Sequence, residues 1–178
     1  MRRGLVFWFT GLSGSGKTTV ALKVKNRLES NSLACLIVDG DLVRAKHVKP
    51  LGFCRKDIQL NNIIIAGHCL LNRDNYDIIL VPVISPLEEV RAFVRKRLTP
   101  NFYLVYFSAD LKSVIRRDVK KLYQKAQDGL ITNMIGFSSG SPYEAPLSHD
   151  LIIDSSDGRE SVDESVEKLY SFIVSKIS

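Results

Sequence analysis

The sequence predicts an α/β architecture: a five-stranded parallel sheet with helices on both faces and an added lid segment, in one domain over residues 1–178. Three observations carry this reading. Short apolar runs alternate with helix-length segments along the chain, the pattern of a sheet built with crossover helices. The runs are apolar without interruption, as strands covered on both faces are. Between the first run and the first helical segment stands GLSGSGKTT, residues 11–19, so a glycine-rich loop joins a strand to a helix.

Leu5–Thr10 (LVFWFT) reads as the first, central strand. Residues 20–28 form an amphipathic helix with Val20, Leu22, Val24 and Leu28 apolar. Residues 33–38 (LACLIV) are a second buried strand, ending at Asp39-Gly40-Asp41. A short helix over 42–49 is expected to stop at Pro50. Asp57 reads as an N-cap opening a helix to about Leu71, with Ile63, Ile64, Ala66, Cys69 and Leu70 along it. Residues 78–84 (IILVPVI) are the third strand. Its Pro82 belongs near the strand end or at a bend, because proline cannot donate to a central ladder. Ser85-Pro86 opens a helix to about Leu98, and residues 102–107 (FYLVYF) are the fourth strand. Asp110 caps a helix that runs on into the basic segment 116–126. Residues 127–148, rich in Gly, Ser and Pro, are expected to be a mobile lid or loop, with the lid as a whole spanning about 117–148. Residues 151–153 are the fifth strand, and Val162–Ile177 is a closing amphipathic helix.

Composition narrows the class of function. Apolar content of 45% and charged content of 25% are those of an ordinary globular protein. The net charge of +6 would suit nucleic acid, but a protein with polyanionic small ligands explains it equally. Nucleic acid is not an expected partner, because no basic run is interleaved with aromatics; RAFVRKR at 91–97 reads as one solvated helix face. Nor is a membrane, since the apolar start is far too short to span one and leads straight into the glycine loop. Cys35, Cys54 and Cys69 are odd in number and widely spaced, which fits a reducing, cytoplasmic setting. His47, His68 and His149 are scattered too, so no metal site made from protein ligands alone is expected.

The glycine loop carries the chemistry. Gly11, Gly16, Lys17 and Thr18 fill the pattern G-x-x-x-x-G-K-[ST]. With Ser13, Gly14, Ser15 and Thr19 they form a loop whose backbone N–H groups can turn inward around a phosphate. Lys17 reaches the outer phosphates, and the Thr18 hydroxyl can hold Mg²⁺ together with waters. The helix N-terminus behind the loop adds partial positive charge. The loop and sheet together define a P-loop NTPase three-layer fold with ATP and Mg²⁺ as expected ligands. Ligands of such sheets bind at the carboxyl ends of strands. Three ends are marked here: 11–19, 39–41 and Ser85-Pro86. Asp39 and Asp41 flank a glycine, so one carboxylate can orient a metal-bound water while the other accepts a hydroxyl proton. Capping of the next helix is the simpler reading of Asp41, and the two roles are compatible. Arg44, one turn on, is placed to meet an anion, or is simply a surface arginine.

These stretches resemble the adenylylsulfate kinases, which phosphorylate the 3′-hydroxyl of adenosine 5′-phosphosulfate (APS) in sulfate assimilation. The likeness runs over nearly the whole chain: GLSGSGKTT, DGDLVR at 39–44, LGF at 51–53, Asp57 with Asn61, ISP at 84–86, RDVKKLYQKA at 117–126 and SPYEAP at 141–146. From Asp39 to Phe53 the match has no gap. The resemblance implies a P-loop kinase with ATP and Mg²⁺ handled by Lys17 and Thr18. It implies Asp41 as the base, Ser85 beside the transferred or acceptor phosphate, and Arg117, Asp118 and Lys120 opening a lid over both nucleotides. Asp39, Arg44, Phe53, Asn61, Ile84 and Lys120 fall to the acceptor, with Phe53 stacking on its base. Dimerisation is implied as well.

The chain also departs from the family pattern. After LGF that pattern reads S-x-x-D-R-x-x-N-x-R-R, but the arginines fall on Ile58, Ile63 and Ile64. The first arginine supplies a cation to the phosphosulfate, and losing one charge-assisted hydrogen bond costs roughly 1.5–3 kcal/mol. The aromatic that would sandwich the base with Phe53 is Met134, which packs on a ring less specifically. KGLY has become Lys120-Lys121-Leu122-Tyr123, without its glycine, and Ser138–Pro142 is about two residues longer. The donor half is intact and the acceptor half is edited. A related acceptor, such as the cytidine diphosphoramidate of capsule biosynthesis, has a smaller base and needs fewer cations, and is the alternative to APS. A non-catalytic nucleotide-binding module is the third reading. No N-K-x-D base reader is present, and both Lys17 and Asp41 are retained.

Overall fold

A computed structural model describes residues 4–47 and 51–177. Leu5–Thr10 (β1) is buried along its whole length. Its alternating side chains serve two cores, because successive strand residues point to opposite faces. Val6 and Trp8 enter one core with Ile65, Val90 and Val94, while Leu5, Phe7 and Phe9 enter the other with Val20, Val24 and Leu169. That double burial is why the run is apolar without alternation.

The remaining elements are α1 (Lys17–Ser30), β2 (Cys35–Ile37), α2 (Gly40–Ala45), α3 (Arg55–Asn72), β3 (Ile78–Val81), α4 (Glu88–Leu98), β4 (Phe102–Ser108), α5 (Leu111–Arg117), α6 (Leu122–Gln127), β5 (Leu151–Asp154) and α7 (Val162–Ile177). The sheet order is β2-β3-β1-β4-β5, every pair parallel, with β1 central as expected. Helices α1 and α7 contribute to one core and α3 and α4 to the other, the three-layer arrangement the sequence predicts. Because β3 lies between β1 and β2, the three chemically marked strand ends are neighbours on one sheet edge.

Several boundaries differ from the sequence reading, each for a physical reason. Helix α3 begins at Arg55 behind Cys54, so Asp57 is not its N-cap. Asp57 sits in the first turn, where a carboxylate also favours the helix dipole, so the signal was present three residues late. Helix α4 begins at Glu88, not at Ser85, because Ser85 has φ +43°, outside helical space. Its first amide, Glu88 N, donates to the Glu144 carboxylate 56 residues away, at 2.7 Å. The helix capped by Asp110 stops at Arg117. The Asp118 carboxylate then accepts from Leu122 N and Gln124 N and opens α6 as a separate helix. Lys121, at the family's glycine position, takes φ +52°, the left-handed conformation a glycine would adopt at lower cost. The predicted stop at Pro50 lies outside the described residues.

Residues 128–150 have no helix or strand, as a lid or loop requires, but they are packed: Met134 and Ile135 are buried. The expected solvated face at 91–97 is also wrong at its first residue, since Arg91 is 2% exposed. Pro82 follows the last residue of β3, where its missing N–H is harmless. Among the described residues no helix is long and apolar enough to cross a membrane.

The three thiols differ sharply. Cys54 is exposed, while burial pushes Cys35 and Cys69 up to about 12. A thiol reagent at pH 8 is expected to label Cys54 quickly in the native protein and to reach Cys35 and Cys69 only in denaturant.

Candidate active site

The site starts at the end of β1. Gly11 has φ +150°, and a Cβ there would lie 2.5 Å from the Phe107 carbonyl oxygen, so only glycine fits. Gly16, at φ +87°, is the N-cap of α1. It offers no capping side chain, and no acidic residue stands in the first turn. The orphan N–H groups of that helix end are therefore left for an anion. Lys17 is 8% exposed, and its Nζ donates to Gly11 O (2.8 Å), Leu12 O (2.7 Å) and Ser15 Oγ (3.1 Å). Burial pulls its pKa down to about 7, while the nearby Asp41 carboxylate opposes the fall.

At the end of β2, Asp39 is the residue that caps α2. Its Oδ1 accepts from Asp41 N (2.8 Å) and Leu42 N (3.2 Å). Its Oδ2 accepts from Thr18 Oγ1 at 3.4 Å, joining the phosphate loop to the second strand end. Asp41 is thereby released from capping, and its carboxylate meets Lys120 Nζ of the lid at 2.6 Å, across 79 residues of sequence. Both partners are more than half exposed, so this ion pair is weak and exchangeable.

A cavity of about 470 Å³ opens over these groups. Its walls come from the loop (Ser13, Gly14, Gly16, Lys17, Thr18, Thr19), from Asp41 and Phe53, from Ile84 after β3, and from the lid, including Lys120 and Met134. The lid has a small core of its own, in which Val114, Tyr123 and Met134 pack with Leu12 of the phosphate loop. Tyr123 OH donates to Ser13 O at 2.9 Å, tying lid to loop directly.

Other sequence-predicted residues stand behind these walls. Gly11 and Ser15 shape the loop from within. Arg44 donates to Leu51 O and Gly52 O and lies 4.7 Å over the Phe53 ring, so in this structure it braces the aromatic. Asn61 is buried with its Oδ1 unpartnered. Ile58 is buried in a core cluster that includes the cavity-lining Val83 and Ile135. Ser85 is 1% exposed, with its Oγ unpartnered. Arg117 is held by Ser113 O and Ser155 O, outside the cavity lining. Thr10, Tyr123, Tyr143 and Arg91 also shape the site, and none of them holds a motif role in the sequence. Tyr143 lies within SPYEAP, which was the available signal. Arg91 has none, because its carbonyl partners, Ser85 and Glu144, are brought to it only by the fold.

An open helix N-terminus behind a buried loop lysine, with a carboxylate at the neighbouring strand end and a lid above, defines a P-loop phosphotransferase. The family model described as adenylylsulphate kinase matches residues 3–154, and the chain belongs to that family. It is 40% identical to the adenylyl-sulfate kinase of Picosynechococcus sp. over 94% of this chain and 92% of that one. It is 37% identical to the Bacteroides fragilis adenylyl-sulfate kinase over 99% of this chain and 86% of the relative. The Mycobacterium tuberculosis APS kinase, solved in complex with AMPPNP and APS, superposes with a TM-score of 0.89 at 36% identity, covering 98% and 99% of the two chains.

Tyr123→Phe removes the direct tie between lid and loop. It is expected to cost about 1 kcal/mol, lowering the melting temperature by about 2–4 °C, as read by thermal unfolding of the free protein.

Proposed function

We propose that this protein transfers the γ-phosphoryl group of ATP to the 3′-hydroxyl of APS. The observation that carries the reading is the convergence of Lys17, Thr18, Asp41, Phe53 and Lys120 on one cavity. The loop N–H groups and the end of α1 receive the donor phosphates. Lys17 gives up its carbonyl contacts and takes the outer phosphate oxygens instead. Asp41 accepts the proton of the acceptor hydroxyl once Lys120 leaves it, and Lys120 then turns to the phosphates. One lid motion thus frees the base and delivers a cation. Phe53 offers its face to the acceptor base, with Arg44 bracing the ring, and Met134 supplies apolar surface from the lid. Asp39, Asn61, Ile84 and Ser85 complete the acceptor side, and Arg117 supports the donor side of the lid.

The oxygen donors present fit Mg²⁺ bound through phosphates and waters: the Thr18 hydroxyl with the Asp39 carboxylate behind it. Among the described residues no cluster of three or more His, Cys, Asp or Glu could hold a metal by itself. When bound, the ion neutralises charge on the transferred group. The packing of lid against loop supports one domain over the whole chain. The exposed free Cys54 supports a reducing cytoplasmic location. A homodimer is proposed on the family resemblance, and sedimentation measures it.

The test is ADP formation with purified protein, ATP, Mg²⁺ and either APS or cytidine diphosphoramidate. APS-dependent ADP release is the expected result; turnover with the cytidine compound alone would assign the edited acceptor half, Ile58 and Met134, to another nucleotide. Lys17→Ala is expected to abolish turnover, and retained activity would remove the loop from the mechanism. Phe53→Ala is expected to raise KM for the acceptor about 10-fold, the worth of one aromatic stack on a base, with KM for ATP unchanged.

A further inference from the structure

Arg91 is among the largest fully buried side chains of the protein. A buried guanidinium is tolerated only when its donors are satisfied, and an apolar residue would fill the same volume at less cost. Its partners are therefore informative. Nη1 donates to Ser85 O at 2.6 Å, Nη2 donates to Glu144 O at 2.7 Å, and the Glu88 carboxylate takes the remaining edge. Two of these three acceptors are backbone carbonyls on segments far apart in sequence: the turn leaving β3 and the carboxyl end of the lid.

The same two segments are joined again around Arg91. Glu144 N donates to Pro86 O at 2.9 Å, and the Glu144 carboxylate accepts from Glu88 N. Tyr143 OH and Thr10 Oγ1 are 2.9 Å apart, and Thr10 Oγ1 reaches Ile84 O (2.9 Å) and Ser85 O (3.1 Å). The Thr10 hydroxyl has one proton, so when it donates to one of those carbonyls its oxygen is left to accept from Tyr143 OH. All these bonds meet on a turn whose backbone is held at φ +43° and whose Ser85 hydroxyl is buried and unpartnered. Such a conformation persists only where its surroundings over-determine it. Ile84, the next residue back, forms part of the cavity wall.

We propose that Arg91 is a positioning residue for phosphoryl transfer: it locks the Ser85 turn to the Tyr143–Glu144 end of the lid, so that the Ser85 hydroxyl and the Ile84 wall are in place only when that end is docked. This rests on the kinase reading above. It gives the buried charge a task that a structural filler would not need. Lysine keeps the charge but cannot span two carbonyls and a carboxylate with a planar fork.

The experiment is a double-mutant cycle on Arg91→Lys and Ser85→Ala, with Tyr143→Phe as a second route to the same turn should Arg91→Lys fail to fold. Turnover with ATP and APS is measured beside amide exchange of peptides covering 82–88 and 141–147. The expected result is a fall in kcat of at least about 10-fold for Arg91→Lys, with KM for ATP within about twofold. That loss should shrink to within about threefold in the Ser85→Ala background, because residues acting through one another are non-additive. Exchange in both peptides should rise. Independent, multiplicative losses, or wild-type kcat and exchange in Arg91→Lys or Tyr143→Phe, would overturn the proposal. If the wild-type protein ignores APS, the kinase reading with that acceptor fails by itself. Faster exchange of both peptides then still supports the lock, and unchanged exchange overturns it.

Discussion

A helix N-terminus without a capping side chain is the constraint on which this structure turns. Helix α1 begins behind Gly16 with neither a capping side chain nor an acid in its first turn. In most helices such donors would be met by a side chain or water. Here they face a cavity beside a buried lysine whose three donor positions are filled by loop acceptors. The loop is thus shaped to receive an anion at the start of α1. The double burial of β1 holds the loop in place, and the parallel sheet brings Asp39, Asp41 and Ser85 to the same edge.

The lid is the second half of the design. Among the described residues it is joined to the body through Tyr123 on Ser13, Lys120 on Asp41, Tyr143 on Thr10 at the end of β1, and Glu144 on the β3 exit. These ties differ in character. The Lys120–Asp41 pair is solvent-exposed and suited to exchange during a catalytic cycle. The contacts around Arg91 are buried and made largely to backbone, which suits holding rather than switching. One end of the lid is thus built to move a charge and the other to keep a turn in register.

The departures from the family pattern acquire physical meaning in the fold. Ile58 is a core residue, not a rim residue with its charge removed. Met134 serves two surfaces at once, packing in the lid core and lining the cavity. Lys121 keeps the left-handed turn without its glycine, a local strain met by the Asp118 cap on the helix that follows. The edits are accommodated by packing, and the phosphate loop is untouched by them.

The sequence by itself determined the α/β class, the central place of β1, the phosphate loop and the residues at the three marked strand ends. Those features are written in contiguous stretches: a run of apolar residues, a glycine pattern, an Asp-Gly-Asp turn. What only the tertiary structure decided were contacts between distant residues. Nothing near Glu88 in the chain says that Glu144 completes its helix, and nothing near Arg91 says that it is buried. Asp57 and Asp118 show the same limit in small, since an acid near a helix start signals the helix without fixing which amides it meets. The assignment of Asp39 to capping and Asp41 to the lid lysine was likewise open in sequence, because both carboxylates flank one glycine. It was decided by where α2 begins and by a lysine 79 residues away.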